Sequence, residues 1–186
     1  FLLGNISGAP MITATSVYHG RRGEQVASEL LSLSSKPTEM PGGYSVTADG
    51  YRAVDLEIVE AGRLNEYLLD LYASRKTGLA APANSGGCYV VAPGETAFSD
   101  MLQSVAEGIL ISRFSGGQPS AKGDFAGVAK SSFYIRDGEV RQPVSETMVS
   151  GNLAQLLLQI VAVSRETVDF GAGKFPWVKV SGIVIS

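Results

Sequence analysis

Along most of the chain apolar and polar positions alternate with a period of two, and glycine clusters interrupt the alternation. Ala53–Glu60 sets Val54, Leu56 and Ile58 against Asp55 and Glu57, the pattern of a half-buried strand. Glu60-Ala61-Gly62 then makes a turn, and Arg63–Asp70 resumes an extended pattern, so the two segments predict a hairpin. Ser132–Ile135, the turn Arg136-Asp137-Gly138 and Glu139–Val144 predict a second hairpin, with Asp-Gly as the stronger turn signal. Tyr89–Val91, Gly108–Phe114, Ala126–Phe133 and Val178–Ile185 are further strand candidates.

Helical spacing is rarer. Ala97–Glu107 places Phe98, Leu102, Val105 and Ala106 on one face, with Thr96 as N-cap and Gly108 just past the end. Asn152–Val163 places Leu153, Leu156, Leu157 and Ile160 on one stripe behind a capping Asn152. Arg21–Leu33 suits a helix and a strand equally. Strands outnumber helices and short turns join them. The expected fold is therefore α+β: β-rich, with a mainly antiparallel sheet, hairpins and about two packed helices.

Composition narrows the function. The 186 residues suffice for one domain with a real core. The net charge of −3 comes without a basic stripe, which argues against a nucleic-acid partner. The longest apolar stretch, near Leu153–Val163, is interrupted by Gln155 and Gln159 and predicts no membrane span. The single cysteine, Cys88, suits a reducing compartment, and a cytoplasmic location is expected. Because the chain starts at Phe1 with no signal-peptide pattern, it reads as a piece of a larger protein.

Zinc hydrolysis needs about three protein ligands and an open position. The chain holds one histidine, His19, beside a glycine turn and without a carboxylate cluster. Cys88 reads as a small buried thiol. No residue is assigned as nucleophile, catalytic acid or base, or metal ligand. Phe114–Phe125 carries the most information: a glycine pair follows a strand, and Lys122 and Asp124 flank Gly123. It lacks the glycine-lysine-serine/threonine order and following helix of a phosphate loop. Two readings stay open, a connecting loop and a rim that pairs with an extended peptide through backbone groups.

Gly123-Asp124-Phe125, Ser132–Val140, Pro143–Thr147 and Ser150-Gly151-Asn152-Leu153 occur in an order that resembles the C-terminal motifs of the TldD/PmbA family. Gly4–Gly8, Val59–Leu64, Tyr67–Leu69 and Tyr72–Leu79 extend the resemblance over almost the whole chain. It implies that residues 1–186 form a single C-terminal domain of a larger protein. The TldD kind carries a zinc-ligand helix with a histidine pair and a glutamate, and a later cysteine ligand. The PmbA (TldE) kind lacks them and partners a zinc-bearing subunit. Leu3–Gly8 holds no histidine and Asp169–Lys174 no cysteine, so the resemblance leans to the metal-free kind, with no cofactor in this chain. Its implied role is to support the processing of peptides or unfolded segments, partnered by a TldD-like zinc subunit or by self-association. The implied peptide-binding candidates are Gly116, Gly117, Gln118, Gly123 and Asp124. A zinc peptidase with ligands upstream of Phe1, and an assembly module without a substrate site, are the alternatives.

Overall fold

The computed structural model describes residues 1–145 and 147–186; Glu146, part of one of the motifs above, lies outside them. In chain order the elements are α1 (Leu2–Asn5), α2 (Gly8–Ile12), β1 (Leu33–Ser35), β2 (Leu56–Glu60), β3 (Arg63–Leu64), α3 (Leu71–Thr77) and β4 (Tyr89–Val91). They continue as α4 (Phe98–Gln103), β5 (Glu107–Leu110), β6 (Arg113–Gly116), β7 (Asp124–Lys130), β8 (Ser132–Arg136), β9 (Glu139–Val144) and β10 (Thr147–Asn152). The last are α5 (Leu153–Leu158), β11 (Ile160–Asp169), β12 (Gly173–Val180) and β13 (Val184–Ile185). The fold is α+β and strand-rich, as the alternation predicts. Among the described strand ladders only β12–β4 is parallel.

The first sheet runs β11-β12-β4-β1-β2-β3. Its main core gathers Leu2, Ile6 and Met11 of the N-terminal segment against Ile58, Val59, Leu64 and Leu69. Both predicted hairpins form. Ala61-Gly62 and Asp137-Gly138 adopt positive φ at both turn residues (45° and 76°; 51° and 76°). That is the twist a two-residue hairpin needs. The first hairpin is shorter than its pattern. Only Arg63–Leu64 stays in the ladder, and Val54 is exposed rather than inward. Opposite Leu33/Ser34 the register skips Ile58, and this bulge lets Ile58 and Val59 both turn inward.

The remaining strands form one bent sheet. Glu107↔Arg136 through Leu110↔Phe133 pair β5 with β8, and Arg113↔Lys130 through Gly116↔Gly127 pair β6 with β7, in a single continuing register. On the other side, Ser132↔Val144 and Phe133↔Pro143 continue the register of Thr147↔Ala129. β5/β6 and β7/β8 therefore bend together, with β9 and β10 paired on either side of the bend; one side is a three-stranded sheet and the other, with β13 added, a four-stranded one. The predicted strand Gly108–Phe114 is broken at this bend, where Ser131 takes a φ of 50° and the Ser112 N–H donates to Ser132 Oγ at 3.2 Å. Val178–Ile185 likewise divides between β12 and β13.

The helices depart furthest from expectation. The described residues form five, all short. α4 ends at Gln103, and Thr96 does not cap it; the Phe98 N–H instead donates to Glu166 Oε2 at 2.8 Å, so β11 caps a helix far from it in sequence. α5 begins as predicted, with Asn152 Oδ1 accepting from the Gln155 N–H at 3.1 Å. It stops at Leu158 because Ile160 and Val163 are drawn into the β11–β12 ladder, where β-branched side chains pack well. Arg21–Leu33 resolves as turns and irregular backbone, with β1 starting at Leu33.

Candidate functional site

The bent sheet has two long outer edges. One is β9, blunted by Pro143 and Arg141, as proteins commonly protect an edge from stray pairing. The other is β5 continuing into β6, from Glu107 to Gly116, with no proline and no described strand on its outer side. All four residues of β6 are exposed. Such an edge presents unpaired N–H and C=O groups, the requirement for strand addition.

The loop Gly117–Gly123 joins β6 to β7 at the far tip of this edge. The predicted site residues divide between tip and base. Gly116 is the last residue of β6, opposite Gly127. A Cβ there would lie 2.7 Å from the Phe114 ring and 2.8 Å from the Ala126 carbonyl oxygen. Phe114 meets Phe125 edge-to-face at 5.6 Å, so two aromatic rings cover one face of the hairpin end. Gly117 has open space around it, and Gln118 is exposed.

Gly123 and Asp124 belong to the base. Gly123 is buried at φ +101°, where an added Cβ would approach the Phe1 ring to 3.0 Å and the Ala154 nitrogen to 3.2 Å. Its carbonyl accepts from the Leu153 N–H at 2.8 Å. The Asp124 carboxylate accepts from Asn152 Nδ2 at 2.9 Å and from Ser120 Oγ at 3.0 Å. Those two bonds, Asn152 first, hold its pKa below the usual carboxylate value. Asn152 Nδ2 also donates to the Lys122 carbonyl at 3.0 Å. Sequence reading finds Asn152 as a helix cap but not as the clasp of this loop, since nothing local signals a partner some thirty positions away.

His19 is exposed on its turn, and Cys88 is buried at a φ of 46° beside β4. Among the described residues no three histidine, cysteine or carboxylate side chains converge as a metal site would need. The donor set of the described residues does not by itself fit zinc. No helix among the described residues is long and apolar enough to cross a membrane.

The model of the PmbA/TldA metallopeptidase C-terminal domain matches residues 1–186. The chain belongs to this family. It is 28% identical to Metalloprotease PmbA of Escherichia coli O157:H7 over 97% of its own length and 42% of that protein's. The crystal structure named for a proposed modulator of DNA gyrase from Bacteroides thetaiotaomicron superposes with a TM-score of 0.90 at 26% identity, covering 100% of this chain and 43% of that one. TldE from Thermococcus kodakarensis superposes with a TM-score of 0.86 at 25% identity, covering 100% of this chain and 46% of that one. The chain thus spans less than half the length of these PmbA/TldA relatives. The family resemblance read from the motifs is confirmed across the whole chain.

Proposed function

We propose that this PmbA/TldA-family chain acts as the metal-free side of a cytoplasmic peptide-processing assembly. It holds an extended peptide or unfolded segment along the β5–β6 edge while a TldD-like subunit supplies zinc and hydrolysis. The observation that carries this reading is the exposed, proline-free edge that ends at Gly116, Gly117 and Gln118. Backbone pairing at an edge is indifferent to side chains, which suits substrates that share only an unfolded state. In this reading Gly123 and Asp124 shape the loop from beneath, through Asn152, rather than touch peptide. The donor set favours the metal-free reading over a self-sufficient zinc enzyme, since His19 and Cys88 lie on separate segments and no three metal-ligating side chains converge among the described residues.

The test pairs this chain with a TldD-like zinc subunit and follows turnover of an unstructured peptide. Turnover should require both, and Gly117→Val with Gln118→Ala should slow it while leaving the melting temperature of the chain unchanged. Full turnover by a folded double variant would remove the loop tip from the substrate path. Turnover by the zinc subunit alone would remove the partnership.

A further inference from the structure

The β5–β6 edge runs, at its β5 end, into a cavity of about 480 Å³. α4 supplies Met101 and Leu102 to its wall, β5 and β8 supply Ile109 and Ile135, and the β12–β13 segment supplies Trp177 and Ile183. Met101 and Ile135 are buried, whereas the other four are only half-buried, so apolar surface remains to be covered. The volume lies within the roughly 300–1,000 Å³ of ligand cavities, room for a few apolar side chains of one bound segment. One cation stands in this wall. Lys179 Nζ donates to the Ser104 carbonyl at 3.0 Å and to Ser104 Oγ at 2.7 Å, and it forms no ion pair among the described residues. Two of its three N–H groups are thus engaged by neutral oxygens, and one stays available for an anion.

Polarity links edge and cavity. Every ladder of the bent sheet is antiparallel. A strand added in the same sense would run from Gly116 towards Glu107 and so finish, at its C-terminus, beside Ser104 and Lys179. We infer that the edge takes peptides antiparallel and ends in a receptor for the peptide's own C-terminus, with its apolar last residues in the cavity and the terminal carboxylate on Lys179. This inference rests on the reading of β5–β6 as the peptide-binding edge. Three features select this occupant: a largely apolar chamber, a lysine with no ion pair among the described residues, and a free strand edge leading to both.

Trp177 is the only tryptophan of the chain and lines the cavity, so its fluorescence reports occupancy directly. The test titrates the 186-residue chain with an unstructured peptide ending in leucine, as the free acid and as the C-terminal amide, and maps amide exchange along Glu107–Gly116. The free acid should shift Trp177 emission, protect the edge, and bind about tenfold or more tighter than the amide, as a charge-assisted hydrogen bond allows. Lys179→Met should abolish the difference between acid and amide, whereas Lys76→Met on α3 should preserve it; melting curves confirm that each variant is folded. Equal binding of acid and amide with the edge still protected would overturn the C-terminal receptor but leave the edge standing. Absence of protection with either peptide would overturn the edge reading and this inference with it. A Lys179-dependent response to decanoate without one to the free-acid peptide would reassign the cavity to a fatty acid and overturn it as well.

Discussion

Asn152 shows how much one amide side chain can hold. Its oxygen caps α5 and its nitrogen serves both the Lys122 carbonyl and the Asp124 carboxylate, so loop, strand and helix share one clasp. Loss of an N-cap alone costs about 1 kcal/mol, and Asn152→Ala also strips Asp124 of its first partner. We expect Asn152→Ala to destabilise the chain by about 1–2 kcal/mol in denaturant titrations. Asp124 sets the pH dependence. Its folded pKa lies below the ordinary 3.8, so the stabilisation is fully present above about pH 3.8 and disappears as pH falls through the depressed folded value. Asp124→Asn should flatten that acid limb of the stability curve, and an unchanged limb would show that the clasp is not formed in solution. Gly123 and Gly117 separate fold from function in the same loop. Valine at 123 must adopt positive φ against the Phe1 ring and should cost about 1–3 kcal/mol; valine at 117 meets open space and should leave the melt alone. Tyr18 runs the opposite way. Its hydroxyl is buried without a partner among the described residues, and burial pushes its pKa up to about 12, against a smaller opposing effect of Arg21. Tyr18→Phe should therefore stabilise the chain, by about 1 kcal/mol in the same titrations.

At the scale of elements, whatever depended on neighbours in sequence could be read, and whatever depended on distant partners could not. Both hairpin turns and the Asn152 cap are local chemistry, and they stand where the residues place them. α4 illustrates the limit. Thr96 has the right identity and spacing for a cap, yet the Phe98 N–H goes to Glu166, delivered by the Thr96–Ser164 bridge that brings β11 alongside. The carboxylate is held below its ordinary pKa chiefly by backbone hydrogen bonds, that from Phe98 first. Glu166→Ala should lower the melting temperature while Thr96→Ala leaves it unchanged, and the reverse result would restore the local cap. The Gly108–Phe114 run behaves similarly. Its register is that of one strand, but the bend at Ser112 and Ser131 depends on a φ of 50° at a serine that no composition rule marks. Of the candidate site, the loop tip was legible because glycines cluster there. The β5 half of the edge, Lys179 and Trp177 were not, because only the folded sheet brings them to one end.

Across the whole molecule, burial is divided unequally. Both clusters of buried apolar residues draw on the first sheet and the segments packed against it. The bent sheet contributes little fully buried apolar surface, chiefly Ala129, Ile135 and Val149, and β9 is exposed along nearly all its length. Regions with few buried contacts open at lower free energy than the global transition, so the chain should unfold in two tiers. What ties the bent sheet down is specific. The Asp137 and Gly138 N–H groups donate to the Ala106 and Val105 carbonyls at 2.8 Å, and the Leu153 N–H donates to Gly123 at the opposite end. Native-state hydrogen exchange should accordingly find the slowest amides around Ile58, Val59 and Leu64, and much faster exchange through the middle of β9, at Arg141 and Gln142. Two substitutions make the same point energetically. Ile58→Ala empties a fully buried site and should cost about 2–5 kcal/mol, whereas Val140→Ala on the exposed strand should change stability by less than about 0.5 kcal/mol. Uniform protection across both sheets, or a Val140→Ala cost comparable to that at Ile58, would mean that the two units unfold as one. The two-tier result would place the peptide-receiving edge on the looser unit, where strand addition supplies hydrogen bonds and burial that the chain alone lacks, and a bound peptide should then raise the protection of the bent sheet more than that of the first.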